Sequence, residues 1–191
     1  PISLAFAIKR FDRAQNRRIH MEDFAQILVK YPHEKYNSAN YEQIAKIIYG
    51  FSGEGLADTQ QLARRLLANI LLANGDAHLK NWSLLYPDTI TPRLSPAYDI
   101  VSTSVYIETE QQYALNLGGT KSWYQVSYAH FEYWAKKSGI PWRAIKPNLD
   151  DAIEKARSLW PQALKNLPMN EEHKQKLIKH WQNLHQDFRV L

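Results

Sequence analysis

The sequence feature that most constrains the fold is a long apolar helical pattern in residues 58–76. Either Asp58 or Thr59 is expected to cap the N-terminus of this helix. Asn74-Gly75 is a helix stop signal, which places Asp76 in the loop directly beyond the helix. The apolar positions form a stripe broad enough to be buried on more than one side: Leu62, Leu66, Leu67, Ile70 and Leu71.

Two shorter helical patterns precede this one. Residues 19–31 predict a short helix, with one apolar face formed by Met21, Phe24, Ala25 and Leu28. Residues 41–51 predict a second helix, which Asn40 is placed to cap. Its stripe consists of Tyr41, Ile44, Ala45 and Ile48.

Strand-like runs follow the long helix. Residues 81–86 and 93–102 are expected to be strands, and residues 87–92 between them contain two prolines that exclude a helix and favour a hairpin or loop. Residues 111–119 are interpreted as a further strand or an extended loop. The remaining sequence predicts a helical bundle, so the expected fold class is α+β, mostly α.

The helical bundle occupies the last 70 residues or so of the chain. Its three helical patterns cover residues 127–139, residues 149–167 and residues 170–188. Pro161 is expected to break the second of them, because proline removes a helical hydrogen bond and clashes with the preceding turn.

The first apolar run, residues 2–11, is expected to be a buried strand. A buried strand needs neighbours for its backbone donors and acceptors, and the sequence does not supply them in order. We therefore expect the chain to be truncated or cut from a longer protein.

Composition limits the class of protein and of site. A chain of 191 residues fits one domain or one lobe, and 45% hydrophobic content with 23% charged residues is typical of a globular protein. The absence of cysteine rules out disulfides and thiolate metal sites, and the histidines lack paired zinc-ligand spacing. No apolar run is long enough to span a membrane and no export signal is visible, so the cytoplasm is the expected location.

The chain is basic, with a formal charge of +5 and a pI near 9.3. Such a charge suits contact with phosphates. The lysines and arginines are scattered in pairs, however, which favours solvated helix faces over a dedicated nucleic-acid surface.

Three polar residues after the long helix suggest phosphoryl transfer. Asp76 and Asn81 lie five residues apart, the interval between the base and the metal-binding asparagine in protein kinases. Asp99 follows 18 residues later, and one intervening hairpin can return it beside Asn81 to hold a hard cation. His78 and Lys80 are expected to line the phosphates.

A structural reading of the same residues remains open. Asp76 after Asn-Gly can be a turn residue, Asn81 a cap and Asp99 a strand-end residue. An aspartate and an asparagine at this spacing are a weak signal alone. The full order is a more specific signal than any single pair of residues: a helix, an aspartate loop, an asparagine, a strand, a turn, a second strand and an aspartate.

The wider string resembles the HipA family of serine/threonine kinases. Residues 74–81, NGDAHLKN, match the family motif Asn-x-Asp-x-His-x-Lys-Asn at every fixed position. SPAYD resembles the family's metal-binding strand, KRFDR at residues 9–13 resembles its hinge, and MEDFAQ at residues 21–26 is typical of it. The resemblance covers most of residues 8–105.

The resemblance implies a two-lobed kinase fold that uses ATP and Mg²⁺, of which this chain is the C-terminal lobe. By position, Asp76 is the implied catalytic base, and Asn81 and Asp99 are the implied Mg²⁺ ligands. The implied hinge runs along the adenine and ribose and comprises Lys9, Arg10, Phe11 and Asp12.

The implied domain is residues 1–191 without the N-terminal lobe. Residues 1–13 are the end strand and hinge, residues 14–75 are helices, residues 76–119 carry the catalytic loop and metal-binding hairpin, and residues 120–191 form the bundle. A glycine-rich phosphate loop and a strand-borne lysine are missing before the hinge. The chain alone is therefore expected to be inactive.

The resemblance also implies partners. They are a protein substrate, which the family suggests is a tRNA synthetase, and a helix-turn-helix antitoxin through which the protein reaches DNA indirectly. No membrane partner is expected.

Two other functions stay open. Small-molecule kinases of the aminoglycoside or choline phosphotransferase type use a similar aspartate loop, but Asn74 stands where those loops have histidine. A non-catalytic antitoxin-binding module is disfavoured by the retention of Asp76, Asn81 and Asp99 together.

Overall fold

The computed structural model describes residues 7–14, 17–107, 109 and 112–191. Most of the strand predicted at residues 2–11 lies outside these ranges. Residues 7–10 are described, and they are exposed and belong to neither a strand nor a helix. For those four residues the prediction of a buried strand is wrong, and Ile8 is 70% exposed.

The described ranges contain six α-helices and seven short strands. The helices are α1 Phe24–Ile27, α2 Tyr41–Phe51, α3 Gly55–Leu71, α4 Tyr128–Ser138, α5 Trp142–Asn166 and α6 Glu171–Asn183. The strands are β1 Arg13–Ala14, β2 Arg17–Arg18, β3 His20–Asp23, β4 Ser83–Tyr86, β5 Arg93–Leu94, β6 Gln112–Leu117 and β7 Thr120–Ser122. A mixed fold of helices and small sheets is therefore confirmed.

The strands form three small antiparallel sheets. Strands β3, β4 and β5 form one sheet in that order, with Asp23 opposite Ser83 and Leu84 opposite Leu94. The predicted hairpin at residues 87–92 is thus confirmed. The pairs β1–β2 and β6–β7 form the other two sheets.

Helix α3 lies at the centre of the core. It packs against α2 on one side and α5 on another, which explains why its apolar stripe is broad. Complete burial of a leucine or isoleucine contributes about 1.5–3 kcal/mol. The fully buried side chains of this helix include Leu62, Leu66, Leu67 and Ile70.

Helix α2 forms where the sequence predicts it. The Asn40 side chain accepts a hydrogen bond from the Gln43 amide at 2.9 Å, and the Gln43 side chain accepts one from the Asn40 amide. The predicted cap is therefore confirmed, and the predicted stripe of α2 is buried.

The predicted helix at residues 19–31 is shorter than expected. Met21 lies in β3 opposite Leu85, and α1 begins only at Phe24. The cause is a reciprocal cap: Asp23 accepts from the Gln26 amide and the Gln26 side chain accepts from the Asp23 amide, each at 2.9 Å. Placing Met21 on a helical face was wrong.

Helix α3 begins and ends earlier than predicted. It starts at Gly55, and Asp58 is no cap because its carboxylate binds Arg93 and the Leu94 amide instead. It ends at Leu71, and Ala73 adopts a positive φ of 52° before the Asn74-Gly75 pair. The turn that stops the helix is therefore at Ala73.

Two predictions for segments that contain a proline were wrong, one at Pro161 in a helix and one at Pro96 in a strand. Helix α5 continues through Pro161, although an internal proline costs about 3 kcal/mol. Ala156 and Leu164 are buried on either side of it, so core packing holds the helix together. Strand β5 stops at Leu94 rather than at residue 102, because the ladder ends with Ser95 and Pro96 has no amide to donate.

None of the helices in the described part of the chain is both long enough and apolar enough to cross a membrane.

Candidate functional site

The loop after α3 is held by two buried asparagines. The Asn74 side-chain amide donates to Asn69 Oδ1 at 2.6 Å, and its oxygen accepts from the Asp76 amide at 3.0 Å. Asn69 in turn donates to the Arg65 carbonyl at 2.7 Å. Since buried polar groups need partners, this chain of bonds fixes the direction of the loop backbone.

A second contact clamps the loop from outside the helix. Thr103 Oγ1 accepts from the Gly75 amide at 2.8 Å and lies 3.2 Å from the Ala73 carbonyl oxygen, to which it donates. The Ser104 amide donates to the same carbonyl at 3.3 Å. The 3₁₀ turn Thr103–Val105 therefore holds the backbone at Ala73 and Gly75, just before Asp76.

Asp76 presents a half-exposed carboxylate to a cavity. Its side chain is 43% exposed, and Oδ1 accepts from the Tyr36 hydroxyl at 2.6 Å. The cavity is also lined by Thr103, Tyr113 and Lys121. The carboxylate is thus anchored on one oxygen and accessible to a second molecule.

His78 lies against the same carboxylate but is buried. Its side chain is 7% exposed, and Nε2 is 3.8 Å from Asp76 Oδ1. Burial lowers the pKa of His78, and the charge of Asp76 offsets only part of this effect. Its surroundings therefore favour the neutral imidazole. The predicted contact of His78 with phosphates stays a prediction.

Asn81 and Asp99 lie in the wall of one cavity, which is different from the Asp76 cavity. The Asn81 side-chain nitrogen donates to the Asp76 carbonyl at 2.9 Å, so its oxygen is the atom left for a ligand. Asp99 is exposed and has a φ of 54°. The structure thus brings together the two residues that the sequence predicts as metal ligands.

One amide oxygen and one carboxylate suit Mg²⁺, which commonly takes one or two protein carboxylates and completes its shell with phosphates and water. Among the residues that the structure describes, histidine, aspartate and glutamate nowhere gather in a group of three that could hold a metal. The pair therefore fits a cation that is shared with a nucleotide better than a closed metal site.

Tyr98 is a site residue that the sequence prediction missed. Its hydroxyl donates to the Lys80 carbonyl at 2.8 Å and also bonds Ser83 Oγ. Burial, assisted by the charges of Asp23 and Asp99, raises the pKa of Tyr98 to about 12. Tyr98 ties the loop after α3 to strand β4, and its place beside Asp99 was the available signal.

The predicted hinge reaches this site through one ring. The Phe11 and Tyr98 ring centroids are 5.7 Å apart. Arg10 donates to both Asp12 oxygens at 2.8 and 2.6 Å, and this contact with Arg10, together with Arg13, holds the pKa of the buried Asp12 far below its usual range. Asp12 is thus engaged with its neighbours.

The outer predicted residues are more open. Lys9 and Lys80 are exposed. Their predicted roles stay predictions. Tyr36, which binds Asp76, was also missed, because it lies in a loop without periodicity where no sequence signal marks it.

Comparisons with known proteins place these features in a family. A profile described as the HipA-like C-terminal domain matches residues 2–160. "Putative kinase Y4dM" of Sinorhizobium fredii is 42% identical over 165 residues, which are 86% of this chain and 40% of that protein. "Serine/threonine-protein kinase toxin HipA" of Shewanella oneidensis is 25% identical over 93% of this chain and 45% of that protein.

A solved structure shares the fold. The Shewanella oneidensis HipA chain, in its complex with HipB and operator DNA, aligns with a TM-score of 0.73 at 21% identity. The alignment covers 92% of this chain and 47% of that one. The chain spans less than half the length of the curated relatives it matches.

Proposed function

The chain belongs to the HipA-like C-terminal domain family, and from this premise we propose that it supplies the base and the Mg²⁺ ligands of an ATP-dependent serine/threonine protein kinase. One observation carries the proposal. Asp76 and Asn81 are joined by a 2.9 Å hydrogen bond within one loop, while Asp76 lines one cavity and Asn81 lines another with Asp99. This arrangement supports a site in which the acceptor binds on the Asp76 side of the loop and the metal and nucleotide bind on the Asn81 side.

Asp76 is the base in this proposal. A substrate serine or threonine hydroxyl enters the cavity at Asp76 and gives its proton to the carboxylate. The hydroxyl oxygen forms a bond to the γ-phosphorus, the bond from that phosphorus to the β–γ bridging oxygen breaks, and ADP leaves. A positioned base of this kind contributes about 10²–10⁴-fold to the rate.

Asn81 and Asp99 are the proposed Mg²⁺ ligands, through Oδ1 and the carboxylate. When bound, the ion neutralises charge on the β- and γ-phosphates. The chain's own contribution is orientation, because the bond from Asn81 to the Asp76 carbonyl turns the amide oxygen away from the loop.

The adenine side of the nucleotide is assigned to residues 9–12. Phe11 packs on Tyr98, the neighbour of Asp99, which supports a nucleotide lying across this face of the chain. Lys9 and Arg10 directly precede Phe11 in the sequence, and Arg10 is paired with Asp12. Lys80 and His78 stay candidates for phosphate contacts.

The partners follow from the relatives. The HipA structure that this chain resembles is a complex with HipB and operator DNA. We propose that the whole protein acts as the toxin of a toxin–antitoxin pair, that a helix-turn-helix antitoxin binds it, and that DNA is reached through that antitoxin. The proposed acceptor is a protein, with a tRNA synthetase as the candidate.

The test is transfer of labelled γ-phosphate from Mg-ATP by the intact gene product. The Asp76→Ala variant should label a protein acceptor, or itself, about 10²–10⁴-fold more slowly while its melting temperature is unchanged. Glu132→Ala is the matched control, since it removes an exposed carboxylate from α4. Label on small molecules alone, or full activity in Asp76→Ala, would contradict the proposal.

A further inference from the structure

The Asp76 carboxylate has an anchor that comes from a distant part of the sequence. The Tyr36 hydroxyl donates to Asp76 Oδ1 at 2.6 Å, although the two residues are 40 positions apart. Hydrogen bonds to a charged acceptor are short and are roughly twice as strong as neutral ones. This contact therefore defines where the carboxylate points.

The tyrosine ring is itself held from several directions. Its centroid is 5.1 Å from that of His78 in an edge-on contact, and the Lys35 ammonium lies 4.8 Å from the ring centroid. Lys121 Nζ donates to the Tyr36 carbonyl at 3.3 Å. The hydroxyl is thus presented to Asp76 by a ring that is fixed in place.

The surrounding backbone joins the two segments. The Leu79 amide donates to the Lys35 carbonyl at 3.3 Å, and the Tyr41 hydroxyl donates to the Ala77 carbonyl at 2.8 Å. The loop before α2 and the loop after α3 are therefore one packed unit. A hydroxyl supplied by the first loop keeps a constant position relative to the second.

We propose that Tyr36 is a positioning residue for Asp76, a role that rests on the proposed function above. By holding Oδ1, it fixes the carboxylate in one orientation and leaves Oδ2 as the oxygen that receives the acceptor's proton. Tyr36 and Asp76 line the same cavity, so the anchor also forms part of the wall against which the acceptor hydroxyl group lies. A misplaced base loses rate without losing nucleotide affinity.

The experiment compares the intact gene product with its Tyr36→Phe variant in the Mg-ATP transfer assay. The phenylalanine keeps the ring and removes the hydroxyl group that donates to Asp76. We expect kcat to fall about 10- to 100-fold, as for loss of a hydrogen bond to a charged group. The KM for ATP should stay within about twofold, because the bond acts on the chemical step.

The matched control is Tyr31→Phe, which removes the hydroxyl of an exposed tyrosine five residues earlier. It should keep wild-type kcat. The melting temperatures of all three proteins are measured beside the rates. A selective fall in kcat for Tyr36→Phe, at constant KM and constant melting temperature, supports the positioning role.

Three results overturn it. If Tyr36→Phe keeps kcat within about twofold of wild type, the bond has no catalytic effect. If kcat falls together with the melting temperature or with ATP affinity, Tyr36 has a structural role only. If the folded wild-type protein transfers no phosphate, the proposed function is wrong and so is the role of Tyr36. The wild-type assay shows this before any variant is compared.

Discussion

An aspartate lies near each end of α3, Asp58 in its first turn and Asp76 in the loop that follows it, and the two carboxylates are held in opposite ways. Asp58, in the first turn, is 7% exposed and accepts from two Arg93 nitrogens and from the Leu94 amide, with Ser52 as a further donor. Asp76, just beyond the last turn, is 43% exposed and accepts from the Tyr36 hydroxyl. The carboxylate at the start of the helix is therefore enclosed by protein groups, whereas the one beyond its end is accessible to a second molecule. We call these the closed end and the open end.

The different surroundings of Asp58 and Asp76 indicate different roles for the two carboxylates. Burial alone would raise the pKa of Asp58, but the bonds from Arg93, Ser52 and Leu94 outweigh it and hold that pKa below its ordinary value. A carboxylate so fully engaged stabilises the fold and has little capacity left for a substrate. Asp76 has that capacity, because the loop that carries it is fixed by other residues.

The largest effect on stability is expected from Asp58→Asn. The amide cannot accept the same set of bonds, and it leaves Arg93 without its buried partner. We expect the free energy of unfolding in urea at pH 7 to fall by about 3 kcal/mol. Glu132→Gln, which removes an exposed charge on α4, should change it by less than about 0.5 kcal/mol. Equal stability of the two variants would show that the ion pair between Asp58 and Arg93 does not stabilise the fold.

The stability difference between wild type and Asp58→Asn is also expected to depend on pH. Because folding lowers the pKa of Asp58 from 3.8, its stabilisation is complete above that value and is lost as pH falls through the folded-state pKa. The stability gap between wild type and Asp58→Asn should therefore be constant above about pH 5 and should narrow below about pH 4. Urea unfolding at a series of pH values measures it. If the difference in unfolding free energy instead grows as the pH falls, folding does not lower the pKa of Asp58.

A smaller effect is expected from Asn74→Ala at the open end. The change removes the hydrogen bond that Asn74 donates to Asn69 and the one it accepts from the Asp76 amide. It leaves Asn69 Oδ1 buried without the donor that Asn74 supplies. We expect a loss of about 2 kcal/mol in unfolding free energy, together with lower transfer activity. Asn183→Ala, at the exposed end of α6, is the control. If activity is retained while stability falls, the asparagine pair supports the core rather than the loop.

The smallest effect is expected from Thr103→Val. Valine keeps the shape but loses the acceptor for the Gly75 amide, which should cost about 1 kcal/mol in urea unfolding. Thr103→Ser retains the hydroxyl and should restore most of that stability. Failure of serine to restore it would assign the effect to packing.

Local chemistry explains which parts of the fold could be predicted from the sequence. Helix α2 has both an apolar stripe and a capping asparagine, so Asn40 and Ile44 were placed correctly. Met21 and Pro161 were misplaced for opposite reasons. At Met21 a local signal, the Asp23–Gln26 cap, was overlooked. At Pro161 core packing overrides a local signal.

The site divides in the same way. Asp76, Asn81 and Asp99 could be proposed from a short motif and one hairpin, and their catalytic roles stay predictions. In the structure Asn81 contacts the Asp76 backbone and shares a cavity wall with Asp99. Tyr36 could not, because its contact with Asp76 depends on how two distant loops pack. Long-range contacts of this kind leave no periodicity in the sequence.

The backbone of Asp99 also restricts how this position can evolve. Its φ of 54° disfavours most L-amino acids by roughly 1–2 kcal/mol, whereas glycine and asparagine adopt it readily. Single-nucleotide changes in an aspartate codon reach both of these residues. Descendants that no longer need the carboxylate therefore have two accessible substitutions that spare the local conformation, and a lineage released from selection should accumulate asparagine or glycine here before alanine, valine or tyrosine.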